Sequence, residues 1–521
     1  MNNFDGQIFF ALIVALVLAW ATSLLVARRY TTKVLEFMQT GTAPIDQASE
    51  GYSTRRVKVG DVLQETESVD LTQQNYYARW RLRIGVVLIA TVLAVIIAYV
   101  QQDTYVEDAF SWRRLCMLTL VNAWPLVPSI GLLERWSRWK ILLVSVSYLL
   151  LTSVLVMLIS TDNQNLGSVL LWLFGEQIPL LVFVFFLTGS KSRAIGPYLL
   201  VVFFLLTASS LLGLSALEQV IKGGPDSWLM DLLLATPFNA HVVFILFSMV
   251  PWLPAFYPVR YMARRLAEAY RHKVFSEPLY LLSGLWSIAL IFQAMTLSHS
   301  AGLSAYGILA AWLVIPLSVV LMKPLLHPPY QPPTLLLLRV FRADDGIETL
   351  FDSVVERWRY SGNTVMIAGK DLALRNLEPD ELFAFLSGHL QDRFIIDDAR
   401  LQQAVQKLDL QADPDGRYRI NEFFCFDSTW KLVLATLVDK ADSVLMDLRA
   451  YTPKREGCTH ELTVLAIKPH LQKLVILFNK DTDKQAAEQL LLGSPTKIVW
   501  IDSEAYGKNL QEQVLGALFS I

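Results

Sequence analysis

Three stretches of this chain carry residue types that could do chemistry. The first is DSVLMDLRAYTPKREGCTHEL, in which an apolar run ends in Asp447, Arg449 and Tyr451 and a helical segment then carries Glu461. An acid, a guanidinium and a phenol at the carboxyl end of a strand can hold a small polar ligand by charge and hydrogen bonds. The second is WLFGEQIPLL, which sets Glu176 and Gln177 in an otherwise apolar stretch. An ionisable group among lipid tails is costly, so Glu176 is expected to face other helices. There it either lines an ion or proton path or bonds to a neighbour such as Asn122 or Gln293. Pro179 would leave the carbonyl of Gly175 without its helical donor, which predicts a local break flanked by Gly175, Glu176 and Gln177.

The third stretch, QADPDGRYRINE at 411–422, has calcium-loop spacing: Asp413, Asp415, Gly416 and Glu422 take the third, fifth, sixth and twelfth places. Gln411 replaces the usual first aspartate and Pro414 stiffens the loop. A plain Asp-Pro-Asp-Gly turn is therefore expected rather than calcium binding. His389, His460 and His470 lack paired zinc spacing, and Cys116, Cys425 and Cys458 contain no Cys-x-x-Cys pair. No metal site or disulfide framework is expected.

The elements that position these groups divide at about residue 326. Hydrophobic residues make up 54% of the 521 residues, which is high for a soluble chain. About 20 apolar residues suffice for a helix to cross the hydrocarbon layer. About nine candidates occur, at 8–26, 84–100, 116–133, 141–160, 168–187, 195–214, 240–257, 279–297 and 304–322. The third and seventh are Pro-rich, so kinked or re-entrant forms are open for them. With the N-terminus outside, Arg28, Arg29, the 30–83 loop, Arg135, Arg138, Lys140, Lys191, Arg193, Arg260, Arg264, Arg265, Arg271, Lys273 and Lys323 fall in the cytoplasm. Only Arg113, Arg114 and Lys222 fall outside, and this asymmetry puts the C-terminal half in the cytoplasm. Asp5, with no positive residue before the first apolar run, argues against a cleaved secretory signal, so 8–26 is expected to be a retained first span; the expected setting is a bacterial inner membrane. No polybasic stretch points to nucleic acid, and RYMARRLAEAYRHK reads as a basic juxtamembrane helix on anionic headgroups.

HPPYQPP, 327–333, is a stiff linker. Residues 334–521 alternate apolar strands with helices: TLLLLRVF, NTVMIAG, DSVLMDLRAY, KLVILFN and TKIVWID are the strands, with an insertion over about 372–427. This alternation predicts an α/β domain with a mainly parallel sheet covered on both faces. No G-x-G-x-x-G, G-x-x-x-x-G-K-[ST] or G-x-S-x-G motif follows any strand.

FRADD after the first strand, Tyr451 after a later one, Cys458-Thr459-His460-Glu461-Leu462 opening a helix and KLVILFNKDTD together resemble the Toll/interleukin-1 receptor homology (TIR) domain family. The resemblance implies a TIR-like, flavodoxin-like fold. It nominates Glu461 as catalytic for cleavage of NAD, with Arg342, Asp345, Asp447, Arg449 and Tyr451 around the nucleotide. A carboxylate beside a ribose can hold its hydroxyls and stabilise oxocarbenium-like charge. The expected function is a membrane-anchored signalling or defence-type effector whose α/β domain binds a nucleotide or self-associates. The rivals are a transporter or channel with a regulatory domain, and a scaffold without chemistry.

Overall fold

The computed structural model describes residues 3–40, 70–105, 110–159, 165–188, 190–222, 235, 239–327, 331–338, 345–368, 385, 390–426, 428–505 and 509–520. Two compact units divide the chain. The first comprises Met1–Tyr30, Arg83–Met322 and Leu377–Ser387; the second comprises Thr31–Leu82, Lys323–Asn376 and Gly388–Ile521.

The first unit is helical. Among the described residues seven helices are long and apolar enough to cross a membrane: Ile13–Met38, Leu71–Thr104, Trp112–Leu133, Arg138–Ile159, Tyr198–Ile221, Glu277–Ser298 and Ser304–Leu326. They mark an integral membrane protein. Three of the nine expected stretches differ from plain straight spans. Leu166–Gly175 and Leu180–Phe186 meet at 52°, at the place where Pro179 removes a backbone donor. The stretch at 240–257 forms only a shorter apolar helix, Ala240–Ala255, because the chain turns at Val250 and Pro251 before a helix over Trp252–Arg271. The Pro-rich third stretch is itself split into Trp112–Asn122 and Leu126–Leu133 by a turn at 123–125.

Without a hydrophobic drive between helices in lipid, close backbone approach supplies the contact. Gly213 shows this: a methyl group there would lie 1.8 Å from the carbonyl oxygen of Phe247. Beside it the Ser210 hydroxyl donates to the Ser248 carbonyl at 3.0 Å.

The second unit holds a parallel sheet of seven strands in the order β3-β4-β2-β1-β5-β6-β7. The strands are β1 Thr334–Leu338, β2 Asn363–Ala368, β3 Phe394–Ile395, β4 Ile420–Cys425, β5 Ser443–Asp447, β6 Lys473–Phe478 and β7 Lys497–Asp502. Their helices are α1 Asp345–Trp358, α2 Asp398–Gln406, α3 Trp430–Val438, α4 Glu456–Ala466, α5 Lys484–Leu490 and α6 Leu510–Phe519. Successive strand residues point to opposite faces, and the core divides accordingly. Leu336, Val444, Met446, Leu474 and Ile476 pack with Leu434, Leu462, Leu465 and Ala487 from α3, α4 and α5. Leu335, Leu337, Leu445, Val475 and Leu477 pack on the other face with Phe351, Val354 and Trp358 of α1 and Val514 and Leu518 of α6.

The sheet is wider than the five strands legible in the sequence. The 372–427 stretch supplies β3 and β4, and β4 pairs with β2 from Thr364↔Ile420 to Ala368↔Phe424. Residues 369–384 and 386–389 lie outside the described residues. Of the 30–83 loop, residues 41–69 are outside the description. Its last part is helical and belongs to this unit: Leu71 enters the α1/α6 core, and the Asn75 side-chain amide donates to the Arg357 carbonyl at 2.5 Å and the Ser361 hydroxyl at 2.9 Å.

Candidate functional site

From β1 the chain first builds outward on one side, through β2 to β4 and β3, and then returns to β5 on the other side of β1. The carboxyl ends of β1 and β5 therefore flank the point where the winding reverses, the usual ligand crevice of open α/β sheets. Asp447 is the last residue of β5. Buried there, its carboxylate accepts from the Arg449 backbone N–H at 3.1 Å and from Nε and Nη2, both at 2.7 Å. This fork fixes the guanidinium at the strand end.

The next residue, Ala450, takes φ +52°, a left-handed conformation that side chains other than glycine rarely adopt. What holds it is non-local: its N–H donates to Asn479 Oδ1 at 2.8 Å, after β6. The Thr482 hydroxyl lies 3.0 Å from the Leu448 carbonyl, and the Asp483 N–H donates to the Tyr451 carbonyl at 2.9 Å. The loops after β5 and β6 are thus clipped together.

Tyr451 is fully buried in the core, its hydroxyl 3.1 Å from Thr459 Oγ1 on α4. It positions α4 against the loop. On that helix burial pushes the Cys458 thiol up to about 12, and the carboxyls of Glu461 and Asp447 push in the same direction. Glu461 keeps a partly exposed edge, yet burial holds its carboxyl up to about 8, so it is mainly neutral at pH 7 and able to donate a hydrogen bond. Next to it, His460 stands edge-on to Trp430 at 5.6 Å and is held below its ordinary range by burial and by Lys431. The structure thus brings Asp447 and Arg449 together at the end of β5, buries Tyr451 behind them, and sets Glu461 on the helix that Tyr451 contacts through Thr459. Arg342 lies outside the described residues, as does the side chain of Asp345, which opens α1.

In the first unit Gln177 accepts from Trp124 Nε1 at 2.6 Å, and Asn122 Nδ2 donates to Gln101 Oε1 at 2.7 Å. The side chain of Glu176 lies outside the described residues. Gln101 Nε2 in turn donates to Gln293 Oε1 at 2.7 Å. Gln101 and Gln102 escaped sequence reading because they end an apolar run, where polar residues are ordinary; only their burial sets them apart.

The 411–422 stretch forms a turn, with the Gly416 N–H donating to the Asp413 carbonyl at 2.8 Å and Gly416 at φ +80°. Asp415 pairs with Arg417 Nε at 2.9 Å and Asp413 with Arg419 Nη2 at 2.8 Å. These carboxylates are committed to arginines, while Glu422 lies on β4. No group of three or more His, Cys, Asp or Glu side chains able to hold a metal occurs among the described residues.

No protein-family model matches the chain, and no curated protein matches it.

Proposed function

We propose that this chain is a membrane-anchored effector of signalling or defence type, set in a bacterial inner membrane with its α/β domain in the cytoplasm. That domain binds a nucleotide at the β1/β5 reversal, and copies associate to complete the active form. The observation that carries the reading is the Asp447–Arg449 fork at this strand end, with the helix that bears the protonated Glu461 held to the same loop by Tyr451 and Thr459. The strands read from the sequence stand in the order β2-β1-β5-β6-β7, which is the flavodoxin-like winding and supports a TIR-like domain. The distribution of Lys and Arg supports the orientation.

With NAD as substrate the reaction is hydrolysis. The bond between ribose and nicotinamide breaks, water adds to the ribose carbon, and nicotinamide and a proton leave. Positive charge developing on the ribose favours ionisation of Glu461, whose carboxylate then holds the ribose hydroxyls and the oxocarbenium-like charge. Arg449, already oriented by Asp447, is placed for a phosphate.

The test is release of nicotinamide from NAD by the full chain in densely loaded nanodiscs. The expected result is turnover in the parent and its loss in Glu461→Ala. Absence of both turnover and NAD binding in the parent, or equal turnover in Glu461→Ala, overturns the reading.

A second reading, a transporter or channel regulated by the α/β domain, is favoured by the 52° bend between Gly175 and Leu180, since broken helices line polar paths in membranes. It predicts that Glu176→Gln alters ion or proton flux in liposomes while Glu461→Ala leaves flux intact.

A further inference from the structure

The helical unit buries more hydrogen-bonding capacity than it uses. Gln101, Gln102, Asn122, Gln177 and Gln293 are each less than a tenth exposed, and they come from four different apolar stretches of the chain. Gln101 spends both ends of its amide, donating to Gln293 and accepting from Asn122. Asn122 also donates to the Leu118 carbonyl at 2.8 Å, and Gln177 accepts from Trp124. The other ends remain. Among the described residues Asn122 Oδ1, Gln177 Nε2 and Gln293 Nε2 have no protein partner, and both amide atoms of the 4%-exposed Gln102 are buried and unpartnered. Turning Gln101, Asn122, Gln177 or Gln293 end for end would break the bonds they make, and turning Gln102 would change nothing, so no orientation spends the remaining groups.

Such a surplus is costly. A buried amide without a partner costs about 1–3 kcal/mol, and lipid offers no water to relieve it. The bonds form two sets, Gln293–Gln101–Asn122 and Trp124–Gln177, and Gln102 bonds in neither. Side chains kept only for packing would close on one another, and these do not. The second set joins two interruptions of helical structure. Asn122 and Trp124 flank the start of the turn at 123–125, and Gln177 sits inside the Gly175–Leu180 bend. Broken helices beside convergent polar side chains are how membrane bundles make room for a polar guest.

We infer that these five carboxamides, with Trp124 orienting Gln177, form an intramembrane site for a small uncharged molecule that both donates and accepts hydrogen bonds, of the amide or hydroxyl class. The chemistry selects against ions. The five side chains are themselves neutral, and among the described residues they bond only to one another, to Trp124 and to a backbone carbonyl, so what they offer is matched by a neutral guest. Paired donors and acceptors are the complement of a neutral amide. The inference does not depend on the nucleotide reading, since no residue of the α/β domain enters it.

The experiment uses the full chain in nanodiscs with three nearly isosteric probes, acetamide, acetate and methylammonium, read by saturation-transfer NMR. Acetamide should receive transfer several-fold above either ion, and Gln101→Leu and Gln102→Met should reduce it to the level of protein-free nanodiscs. Gln102→Met should also melt at or above the parent temperature, because it removes an amide that no protein group satisfies. Equal transfer to acetate, or full acetamide transfer in both variants, overturns the site. A Gln102→Met chain that melts well below the parent, or fails to fold, shows that the protein itself satisfies the amide, and also counts against it. The comparison of probes on the parent protein decides the matter without any variant.

Discussion

Replacing Glu461 by glutamine should stabilise α4 in alkaline buffer and leave it nearly unchanged in acid. Burial holds this carboxyl up to about 8 from an ordinary 4.5, a penalty on the charged form that the unfolded chain does not feel. Below pH 4.5 both states carry the proton and nothing is lost. Between 4.5 and 8 the unfolded chain releases its proton while the folded one keeps it, so stability falls by about 1.4 kcal/mol per pH unit. Above 8 both are ionised and the loss is complete, at most about 5 kcal/mol. Solvent reaching the partly exposed side chain screens the charge and reduces this to about 2–3 kcal/mol. Glutamine has the same shape and no charge, so it recovers that amount. The assay is amide hydrogen exchange over 456–466 in the full chain, comparing parent and Glu461→Gln at one pH so that intrinsic exchange rates cancel. At pH 8.5 the variant should exchange roughly 30–150-fold more slowly, since about 1.4 kcal/mol is a factor of ten; at pH 5 the two should nearly coincide. Equal exchange at pH 8.5, or a larger difference in acid than in alkali, would refute the placement of this carboxyl in a poorly solvated pocket.

Asp415→Asn removes the nearer of two counter-charges of the buried Arg417 guanidinium, at 2.9 Å, and leaves Glu356 at 3.5 Å; it should cost about 1–3 kcal/mol, read as a lowered unfolding midpoint by tryptophan fluorescence. Cys425 and Cys458, both buried with thiols pushed up to about 12, should resist maleimide at pH 7.5 for hours and react fully once denaturant is added; rapid native labelling of either contradicts the packing around β4 or α4. Gly213→Ala sets a methyl group 1.8 Å from a backbone oxygen and should lower the melting temperature of the detergent-solubilised chain by several degrees, whereas Gly516→Ala, with nothing within 4 Å, should not.

What could be read from the sequence follows a physical division. Lipid demands long apolar runs and a parallel sheet demands short ones, so the membrane half and five of the strands were visible as local patterns. The bend beyond Gly175 was visible because proline lacks an N–H wherever it occurs. The edge strands were not. β4 opens with Ile420, Asn421 and Glu422, β3 is only Phe394 and Ile395, and both owe their conformation to a neighbouring strand rather than to their own composition.

The same division governs the sites. Asp447 and Arg449, two residues apart, could be read as a pair; the burial of Tyr451 could not, because it follows from the left-handed turn at Ala450 that Asn479 holds from another loop. Gln101, Asn122, Gln177 and Gln293 are each unexceptional in their own segments, and their meaning lies in their convergence. Both candidate sites sit where local rules fail: at Ala450, at the turn over 123–125, and at the bend from Gly175 to Leu180. Regular elements satisfy their own backbone and need no ligand, whereas an interruption leaves polar groups that something else must satisfy. In this chain the interruptions coincide with unspent amides in one unit and a neutralised carboxyl in the other, and that coincidence is the physical reason to seek ligands at both places.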